Sequence, residues 1–503
     1  MDNACRATSI FEGLRIMKKI FLNTSIFWVF AGIIVLALFS IPKLSLTLLG
    51  GEISSLGTVS GAAAAGLLLF FVWRHHSWLA ALIQRPIHNL TRIPVTVWLI
   101  SLIVMGVLLR YMWAVSFPAP LSSDGATYFG LAERLLKFGY YRDAVGNYAY
   151  WPPGYPFALY AVFMLTGAKT WVIVLINLLA YSLSILIAWR LAQLLFNEAV
   201  ARFSTLIVAL WPNAIFSTVV AGKEMLLVLL LPLALLLYMY STRSVKQGGI
   251  FSLLTGATLG FASLTQPSLL LFPAVLALYE YLTSDKWSKS AIRMAIILLG
   301  MSVVITPWAV RNYSIFNAPV LISTNGGDVF YRANNPLATG GYTPVGERDL
   351  WQYGEIERNK LGYQWAKEWI VANPASFLVL AVKKQILFLG DDANGVYETL
   401  KRGLGITDLR YPLIKALSNA YWLAIWILLL IMLRRYHSTG AADNPAVILL
   451  MLSVIYFFAI DSVFESGSRH HLPLIVILST LASMTALKSA EVSSSVRSGR
   501  SVC

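Results

Sequence analysis

The stretch PVTVWLISLIVMGVLLRYMWAVS, residues 94–116, decides the fold class. Its only charged residue is Arg110, and a helix of roughly 20 apolar residues crosses the hydrocarbon core of a membrane. Similar apolar runs recur along the chain of 503 residues, which is 57% hydrophobic and 13% charged. Because an ordinary soluble domain carries about 25% charged residues, the sequence predicts an all-α polytopic membrane protein.

The hydropathy pattern predicts about 12 transmembrane helices. The predicted spans are residues 20–41, 61–73, 94–116, 169–189, 203–221, 225–241, 250–265, 268–283, 291–309, 411–433, 445–464 and 470–487. The run after Lys18 and Lys19 is long and has no clear cleavage site, so it is predicted to be a retained span. The Ser-rich tail, residues 488–503, is predicted to be disordered.

The orientation in the membrane follows from Lys and Arg, which concentrate in cytoplasmic loops. The short segments assigned to the outside hold only Lys43, Lys223 and Arg469. This places both termini in the cytoplasm and two long loops, residues 117–168 and 310–410, outside a plasma (inner) membrane. The net charge of +15 reflects the same bias, and without a binding motif it does not predict a nucleic-acid partner.

The two long loops are predicted to contain helices that lie in the membrane interface. Residues 124–138 are amphipathic, and residues 155–166 are apolar but too short to span. In the second loop, residues 350–373 follow a helical pattern, and residues 376–390 form an apolar piece that is interfacial or re-entrant. Long loops carry function more often than short connections do.

Two acidic residues are the candidate catalytic groups. Asp124 follows the third predicted span, where it either caps a helix or acts as a general base close to a lipid phosphate. Tyr128 lies one turn later on the same face and is a candidate for substrate binding. Glu224 sits in a short polar break between two apolar runs, and it is either a solvated hairpin apex or a second acid opposite Asp124.

A divalent cation is the one cofactor that these residues suggest. Two facing carboxylates, Asp124 and Glu224, could hold such a cation. No His or Cys motif for a metal is present, and Cys5 and Cys503 lie at the two ends of the chain, where a structural disulfide is not expected.

Basic and amide side chains are the candidate ligands for the substrate. Arg311 follows one span and Arg469 precedes another, where a guanidinium either binds a phosphate or extends towards lipid headgroups. His470 stands beside Arg469. Asn325 and Asn334 lie in a Gly/Asn-rich stretch that either contacts sugar hydroxyls or forms plain turns.

Together these segments resemble the GT-C superfamily of glycosyltransferases that use polyprenyl-phosphate sugars. The bacterial relatives of protein O-mannosyltransferases and of the lipid A aminoarabinose transferase are the most similar members. The stretches that carry the resemblance are SSDGATYFGLAERLLKFGYY (122–141), YWPPGYPFALYAVFMLTG (150–167), LWPNAIFSTVVAGKEMLLVLLLPLALLLY (210–238), GATLGFASLTQPSLLLFPAVLAL (256–278), TPWAVRNYSIFNAPVLISTNGG (306–327), ANNPLATGGY (333–342) and SRHHLPLIVIL (468–478).

The resemblance implies a division of the chain and roles for its residues. Residues 94–487 would be the catalytic transmembrane domain, and residues 1–93 a cytoplasmic segment with two additional helices. Asp124 would be the general base, Glu224 the second acid, and Arg311 and Arg469 the ligands of the donor phosphate. Many relatives have a second acid directly after the first-loop Asp, whereas Gly125 stands here, and this departure weakens a metal site.

The predicted function is transfer of a hexose or pentose from a polyprenyl-phosphate donor to a lipid, glycan or protein acceptor. Three alternatives stay open. A transporter or flippase of lipid-linked sugars would need charged or broken helices near the bilayer midplane. A non-catalytic subunit of an envelope polysaccharide complex would tolerate loss of the acids. A lipid-linked oligosaccharide ligase would rely on arginines and on histidines such as His470 and His471.

Overall fold

All regular structure in the described part of the chain is helical, which confirms the predicted fold class. The computed structural model describes residues 21–42, 55–244, 246–284, 286–344, 346–439 and 444–487. The tail predicted to be disordered, residues 488–503, lies outside the described residues, as do residues 1–20.

The helices are numbered in chain order. They are α1 (Phe21–Pro42), α2 (Ser55–Leu90), α3 (Val95–Ser116), α4 (Ser123–Phe138), α5 (Gly154–Thr166), α6 (Trp171–Leu195), α7 (Glu198–Leu210), α8 (Pro212–Phe216), α9 (Glu224–Arg243), α10 (Gly248–Thr265), α11 (Pro273–Thr283), α12 (Trp287–Phe316), α13 (Gly326–Ala333), α14 (Glu355–Ala372), α15 (Pro374–Gly390), α16 (Asn394–Val396), α17 (Arg410–Thr439), α18 (Pro445–Val463) and α19 (Ile475–Ser483).

Nine helices in the described ranges are long and apolar enough to cross a membrane, namely α1, α2, α3, α6, α9, α10, α12, α17 and α18. The number rises to 11 if two bent pairs each count as one span. In the first pair α7 is followed by residues 212–219 at a bend of 48°, and in the second α14 and α15 meet at 111°. The chain is therefore an integral membrane protein, while the predicted count of 12 is not confirmed.

Most of the predicted spans coincide with these helices, and three differ in an informative way. The predicted span 61–73 is part of α2, which continues past Arg74 with a kink at His75. The hydropathy pattern predicted an end at this point because the apolar run stops there. The predicted spans 268–283 and 470–487 fall on shorter apolar helices, Pro267–Thr283 and Leu472–Ala486. Apolar composition alone does not separate a short packed helix from a full span.

Close packing of α10 between α9 and α12 forms a large part of the bundle. The approach of α10 and α12 requires small residues, because a Cβ on Gly256 would lie 2.0 Å from the carbonyl oxygen of Ile297. A Cβ on Gly300 would similarly lie 2.3 Å from the carbonyl oxygen of Leu253. Small residues at such crossings let the backbones of membrane helices come into contact.

The helices predicted in the two long loops are present. The first loop forms α4 and α5, which pack on each other, and the predicted helical pattern at 350–373 corresponds to α14. The helix α4 begins only seven residues after the end of α3. Its N-terminus therefore lies close to the ends of the spanning helices, which is where the candidate site forms.

Candidate functional site

A cleft forms where the N-terminus of α4, the turn before α9 and the segment after α18 meet. Its interior leaves about 40 Å³ for water-sized molecules, and the rest of its space is open to solvent at the mouth. It is lined by residues 119–125, 128, 219–222, 224, 394, 398 and 469. Four of the predicted site residues, Asp124, Tyr128, Glu224 and Arg469, therefore come together in one place although 345 positions separate the first from the last.

Asp124 lies in the first turn of α4 and points its carboxylate into this cleft. Its Oδ2 accepts a hydrogen bond of 2.8 Å from the guanidinium of Arg469, so the carboxylate contacts another segment instead of capping its own helix. The preceding residue, Ser123, has φ +48°. A residue other than glycine rarely adopts this left-handed backbone, and such strain is found most often at functional sites.

Gly125 allows α4 to approach the turn before α9. A Cβ at this position would lie 2.9 Å from the carbonyl oxygen of Ala221, closer than a side-chain carbon is found to a neighbouring atom. The position that departs from the pattern of the resembling family is thus one where this chain needs a glycine. The carboxylates of Asp124 and Glu224 both face the guanidinium of Arg469, at distances of 2.8 Å and 3.7 Å.

Glu224 opens α9 and is nearly buried, with 9% of its surface exposed. Its Oε1 lies 3.7 Å from Nε of Arg469. A carboxylate in the first turn is also favoured by the positive end of the helix dipole. Of the two interpretations of Glu224 from the sequence, the geometry favours the second acid near Asp124.

The charges of the cleft determine the protonation of Asp124. Burial favours the neutral acid, but the positive charge and hydrogen bond of Arg469, together with the charge of Lys223, lower the pKa of Asp124 below its usual range. Asp124 is therefore ionised at neutral pH. The side chains of Arg469 and Asp124 are about one-third exposed, so both remain accessible.

Lys223 is a further cation beside this cluster. Burial lowers the pKa of its ammonium group, and the nearby Glu224 opposes that change. No hydrogen bond or ion pair from the described residues engages this group, whereas Arg469 is paired twice.

Tyr128 forms part of the cleft wall. Its ring is buried and makes edge-on contacts with Trp151 and Tyr155, with ring centroids 5.5 Å and 5.6 Å apart. Burial raises the pKa of its hydroxyl, and the neighbouring carboxylates raise it further. Tyr128 is therefore neutral and can donate a hydrogen bond towards the cleft.

Arg311, which was predicted to bind phosphate, lies at the end of α12 and does not line the cleft. Its guanidinium donates to the carbonyl oxygens of Tyr141 (2.7 Å) and Tyr148 (2.8 Å) in the first long loop. Glu355 of α14 accepts hydrogen bonds from the backbone amides of Tyr148 and Ala149. Together these contacts hold the two long loops against each other.

The two predicted asparagines also lie outside the cleft. Asn325 accepts a hydrogen bond from the hydroxyl of Ser323 at 2.7 Å. Asn334 is fully buried, donates to the carbonyl oxygen of Val463 and accepts from Nζ of Lys384 at 2.9 Å. Asn334 and Lys384 therefore hold the second long loop on the end of α18.

The two histidines after Arg469 are both bound to carboxylates that the sequence did not single out. Nδ1 of His470 lies 2.6 Å from Oδ1 of Asp461 at the end of α18. Nε2 of His471 lies 2.9 Å from Oδ1 of Asp392, and both of these side chains are almost completely buried. Burial raises the pKa of Asp392, and His471 opposes this shift.

The Asp392–His471 pair is saturated by its surroundings. Asp392 also accepts hydrogen bonds from Nε1 of Trp211 at 2.7 Å and from the amide of Asn213, and the ring of His471 stacks on Trp422 at 4.5 Å. The pair thereby joins four parts of the chain and fixes the segment that carries Arg469.

A divalent cation at Asp124 and Glu224 stays a prediction. The described residues contain no group of three or more His, Cys, Asp or Glu side chains arranged to hold a metal ion. Both carboxylates here are turned towards Arg469, so a cation would compete with the guanidinium for them.

Comparison with known proteins agrees with the resemblance seen in the sequence. Residues 151–310 match the family model described as dolichyl-phosphate-mannose-protein mannosyltransferase, a glycosyltransferase family. The match covers 160 of the 503 residues and includes Glu224 but neither Asp124 nor Arg469. No curated protein sequence matches the chain.

Solved membrane glycosyltransferases are similar to the chain at low identity. The archaeal oligosaccharyltransferase AglB from Archaeoglobus fulgidus, in complex with an inhibitory peptide and a dolichol-phosphate, is 11% identical with a TM-score of 0.47. The match covers 76% of this chain and 50% of that one, so the chain spans about half its length. ArnT from Cupriavidus metallidurans, bound to undecaprenyl phosphate, is 15% identical over 79% of this chain and 78% of that one, with a TM-score of 0.42.

Proposed function

We propose that this chain is a membrane glycosyltransferase that moves a sugar from a polyprenyl-phosphate donor to an acceptor on the extracytoplasmic face. The observation that carries the proposal is the cluster of Asp124, Arg469 and Glu224 in an open cleft at the ends of membrane-spanning helices. A lipid phosphate sits at that depth, while its sugar and the acceptor reach the site from water. The family match over residues 151–310 supports the same chemistry.

In this proposal Arg469 binds the phosphate of the donor. A guanidinium presents paired N–H donors that suit phosphate oxygens, and Lys223 adds a nearby cation that has no partner among the described residues. Arg311 is assigned to holding the loops, because its N–H groups are already bound to backbone carbonyls. Glu224 keeps Arg469 oriented towards the cleft.

Asp124 is the proposed general base. When the donor phosphate binds Arg469, it replaces Asp124 as the partner of the guanidinium. The pKa of Asp124 then rises, so Asp124 becomes a stronger base. Asp124 then accepts the proton of the acceptor hydroxyl while the acceptor oxygen attacks the anomeric carbon. The bond from that carbon to the phosphate oxygen breaks, its electron pair leaves with the polyprenyl phosphate, and the anomeric configuration inverts. Arg469 stabilises the charge that develops on the leaving group.

The acceptor is a lipid, a glycan or a protein, and the transferred sugar is a hexose or a pentose. The proposed orientation places the cleft on the exterior or periplasmic side of the plasma membrane, with both termini in the cytoplasm. Asp124 and Glu224 are the residues that would hold a divalent cation.

The test is sugar release from radiolabelled short-chain polyprenyl-phosphate sugars by the purified chain in vesicles. Loss of a general base slows a reaction by roughly 10²–10⁴-fold, so Asp124→Asn should reduce release by that factor with an unchanged melting temperature. The control is Asp408→Asn, because Asp408 pairs with Arg410 at an exposed surface and its loss should leave the rate unchanged.

Other results would favour the alternative functions. Full activity of a stable Asp124→Asn variant would contradict the assignment of the base. Movement of intact donor across the vesicle membrane without release would favour a transporter or flippase. Release that requires His470 or His471 but not Asp124 would favour the ligase, and no release by the chain alone, with product restored in a complex, would favour an assembly subunit.

A further inference from the structure

Another part of the cleft wall comes from a short segment to which neither the sequence analysis nor the proposed reaction assigns a role. It consists of α16 and the π-helical turn Tyr397–Gly403 that directly follows. In that turn, the amide of Leu404 donates to the carbonyl oxygen of Thr399, five residues earlier, at 3.0 Å. Widened helical turns of this kind are rare and are found frequently at functional sites.

One face of this segment is fixed to the protein core. Val396 and Leu400 are fully buried in an apolar cluster with Trp113 and Phe216. The amide of Gly395 donates to Oδ1 of Asn213 at 2.8 Å. These contacts hold the segment rigidly without using the side chains on its other face.

The other face presents Asn394 and Glu398 to the cleft. The two residues are four positions apart, so they lie on the same side of one helical turn. Glu398 pairs with Arg402 at 3.2 Å, where Arg402 is largely exposed, and the Glu398 side chain keeps 14% of its surface open. Within the described ranges, the lining of the cleft therefore carries three carboxylates, from Asp124, Glu224 and Glu398, and one cation, Arg469, with Lys223 beside it.

Two parts of the cleft therefore differ in the charge that they present to a ligand. A phosphate is repelled by Glu398 and attracted by Arg469. A carboxylate and an amide, by contrast, are the side chains that bind sugar hydroxyls, because the carboxylate accepts hydrogen bonds and the amide both donates and accepts them. The wall formed by Asn394 and Glu398 thus fits the neutral, hydroxyl-rich part of a ligand.

We propose that Asn394 and Glu398 form the sugar subsite of the cleft and bind hydroxyl groups of the donor's sugar. This inference rests on the proposed function, since it assigns a place to the sugar that the phosphate at Arg469 carries. Glu398 then determines which sugars are accepted, because a sugar with no hydroxyl within reach of its carboxylate loses a hydrogen bond to a charged group.

A purely structural role for Glu398 predicts something different. In that case the residue would only pair with Arg402, and an exposed pair at this spacing contributes little to stability. Substitution of either partner would then have the same small effect, and no effect would depend on the presence of a sugar in the ligand.

The test compares the binding of two ligands to the full chain in detergent micelles. The first is a short-chain polyprenyl phosphate without a sugar, and the second is the tightest-binding member of a panel of polyprenyl-phosphate hexoses and pentoses. Loss of a hydrogen bond to a charged group lowers affinity by roughly 10-fold or more. Glu398→Ala should weaken binding of the sugar-bearing lipid by about that factor and leave binding of the bare lipid unchanged, with partial recovery in Glu398→Gln.

Two variants serve as matched controls. Arg402→Gln removes the partner of Glu398 but not its carboxylate, so binding of the sugar-bearing lipid should stay close to that of the wild type. Glu133→Gln breaks a similar pair with Lys137, four residues apart on α4 and away from the cleft lining, and it should change neither affinity. Melting temperatures confirm that each variant is folded.

The outcomes separate this inference from the proposed function. Equal weakening of both lipids by Glu398→Ala, or an identical effect of Arg402→Gln, would overturn the sugar subsite and leave the glycosyltransferase proposal standing. Unchanged donor binding with a raised KM for the acceptor would place the acceptor at this wall and overturn the donor assignment. A wild-type chain that binds neither lipid would overturn both proposals.

Discussion

Two carboxylate clusters lie close together in this molecule and differ in how completely they are satisfied. Asp124 and Arg469 are paired in an open cleft, and each side chain keeps about a third of its surface exposed. His471, two residues after Arg469, pairs with Asp392, and both of these side chains are almost completely buried. Asp392 receives side-chain hydrogen bonds from three residues.

The difference shows how a site for chemistry is distinguished from a structural contact made of similar groups. Both oxygens of the Asp392 carboxylate have a partner, so a ligand could bind there only if these hydrogen bonds were broken. The cleft cluster has spare hydrogen-bonding capacity and access from solvent, and the neighbouring Lys223 has no partner in the part of the chain that the structure describes. We therefore expect substitutions in the buried pair to affect stability and substitutions in the cleft to affect catalysis.

The largest effect is expected from the buried pair. Asp392→Ala leaves the buried side-chain nitrogens of Trp211, Asn213 and His471 without their partner, and each buried polar group left unsatisfied costs about 1–3 kcal/mol. The change should appear as a large fall in melting temperature in detergent. Asp408→Ala, which removes an exposed pair with Arg410, should cost about 0–1 kcal/mol; equal effects of the two variants would refute the distinction.

The next effect is a shift in the pH dependence of catalysis. Arg469→Gln removes the charge that lowers the pKa of Asp124 and leaves the opposing effect of burial. The pKa of Asp124 should therefore rise, so Asp124 becomes protonated at a higher pH. The acid limb of kcat/KM, which reports the ionisation of the free enzyme, should move to higher pH.

The measurement is the rate of sugar release between pH 3.5 and 8. Because Arg469 also binds the phosphate in this proposal, the maximum rate should fall as well. An acid limb that stays in place would mean that Asp124 is not the group whose ionisation the rate requires.

The smallest effect is expected from a change in the distance between Asp124 and Glu224. Gly125→Ala places a Cβ against the carbonyl oxygen of Ala221, so α4 must shift and the distance between Asp124 and Glu224 must change. We expect a loss of activity of about 10-fold, since small displacements of catalytic groups slow reactions strongly. Gly130 lies on the same helix with open space around it, and Gly130→Ala should leave activity unchanged and stabilise the helix by roughly 0.4–1 kcal/mol.

The sequence predicted the membrane helices better than it predicted the site. Apolar runs report burial in lipid directly, so α1, α3 and α9 were located within a few residues. The predicted ends were wrong where a helix continues beyond its apolar run. An example is α2, which continues through Arg74 and His75.

The candidate site shows a different limit of sequence analysis. Asp124, Glu224 and Arg469 were each identified because an ionisable residue at the end of an apolar run is unusual. The approach of Glu224 to Asp124 was one of two alternatives from the sequence, whereas the meeting with Arg469 was implied only by family resemblance, because no local pattern relates positions 124 and 469. Asp392 and Glu398 carry no such signal, since both lie in a long polar loop where acidic residues are common.

The contact between Asp124 and Arg469 also has a consequence for the order of events during biosynthesis. Asp124 leaves the ribosome 345 residues before its partner, and translation at about 5–20 residues per second makes this a delay of roughly 20–70 seconds. The loops close earlier, once Glu355 has been added, but the acid stays without its guanidinium until the segment after α18 has been made. A nascent or truncated chain that ends before residue 469 would therefore insert most of its helices and still lack a complete charge cluster, so activity would begin only with the finished protein.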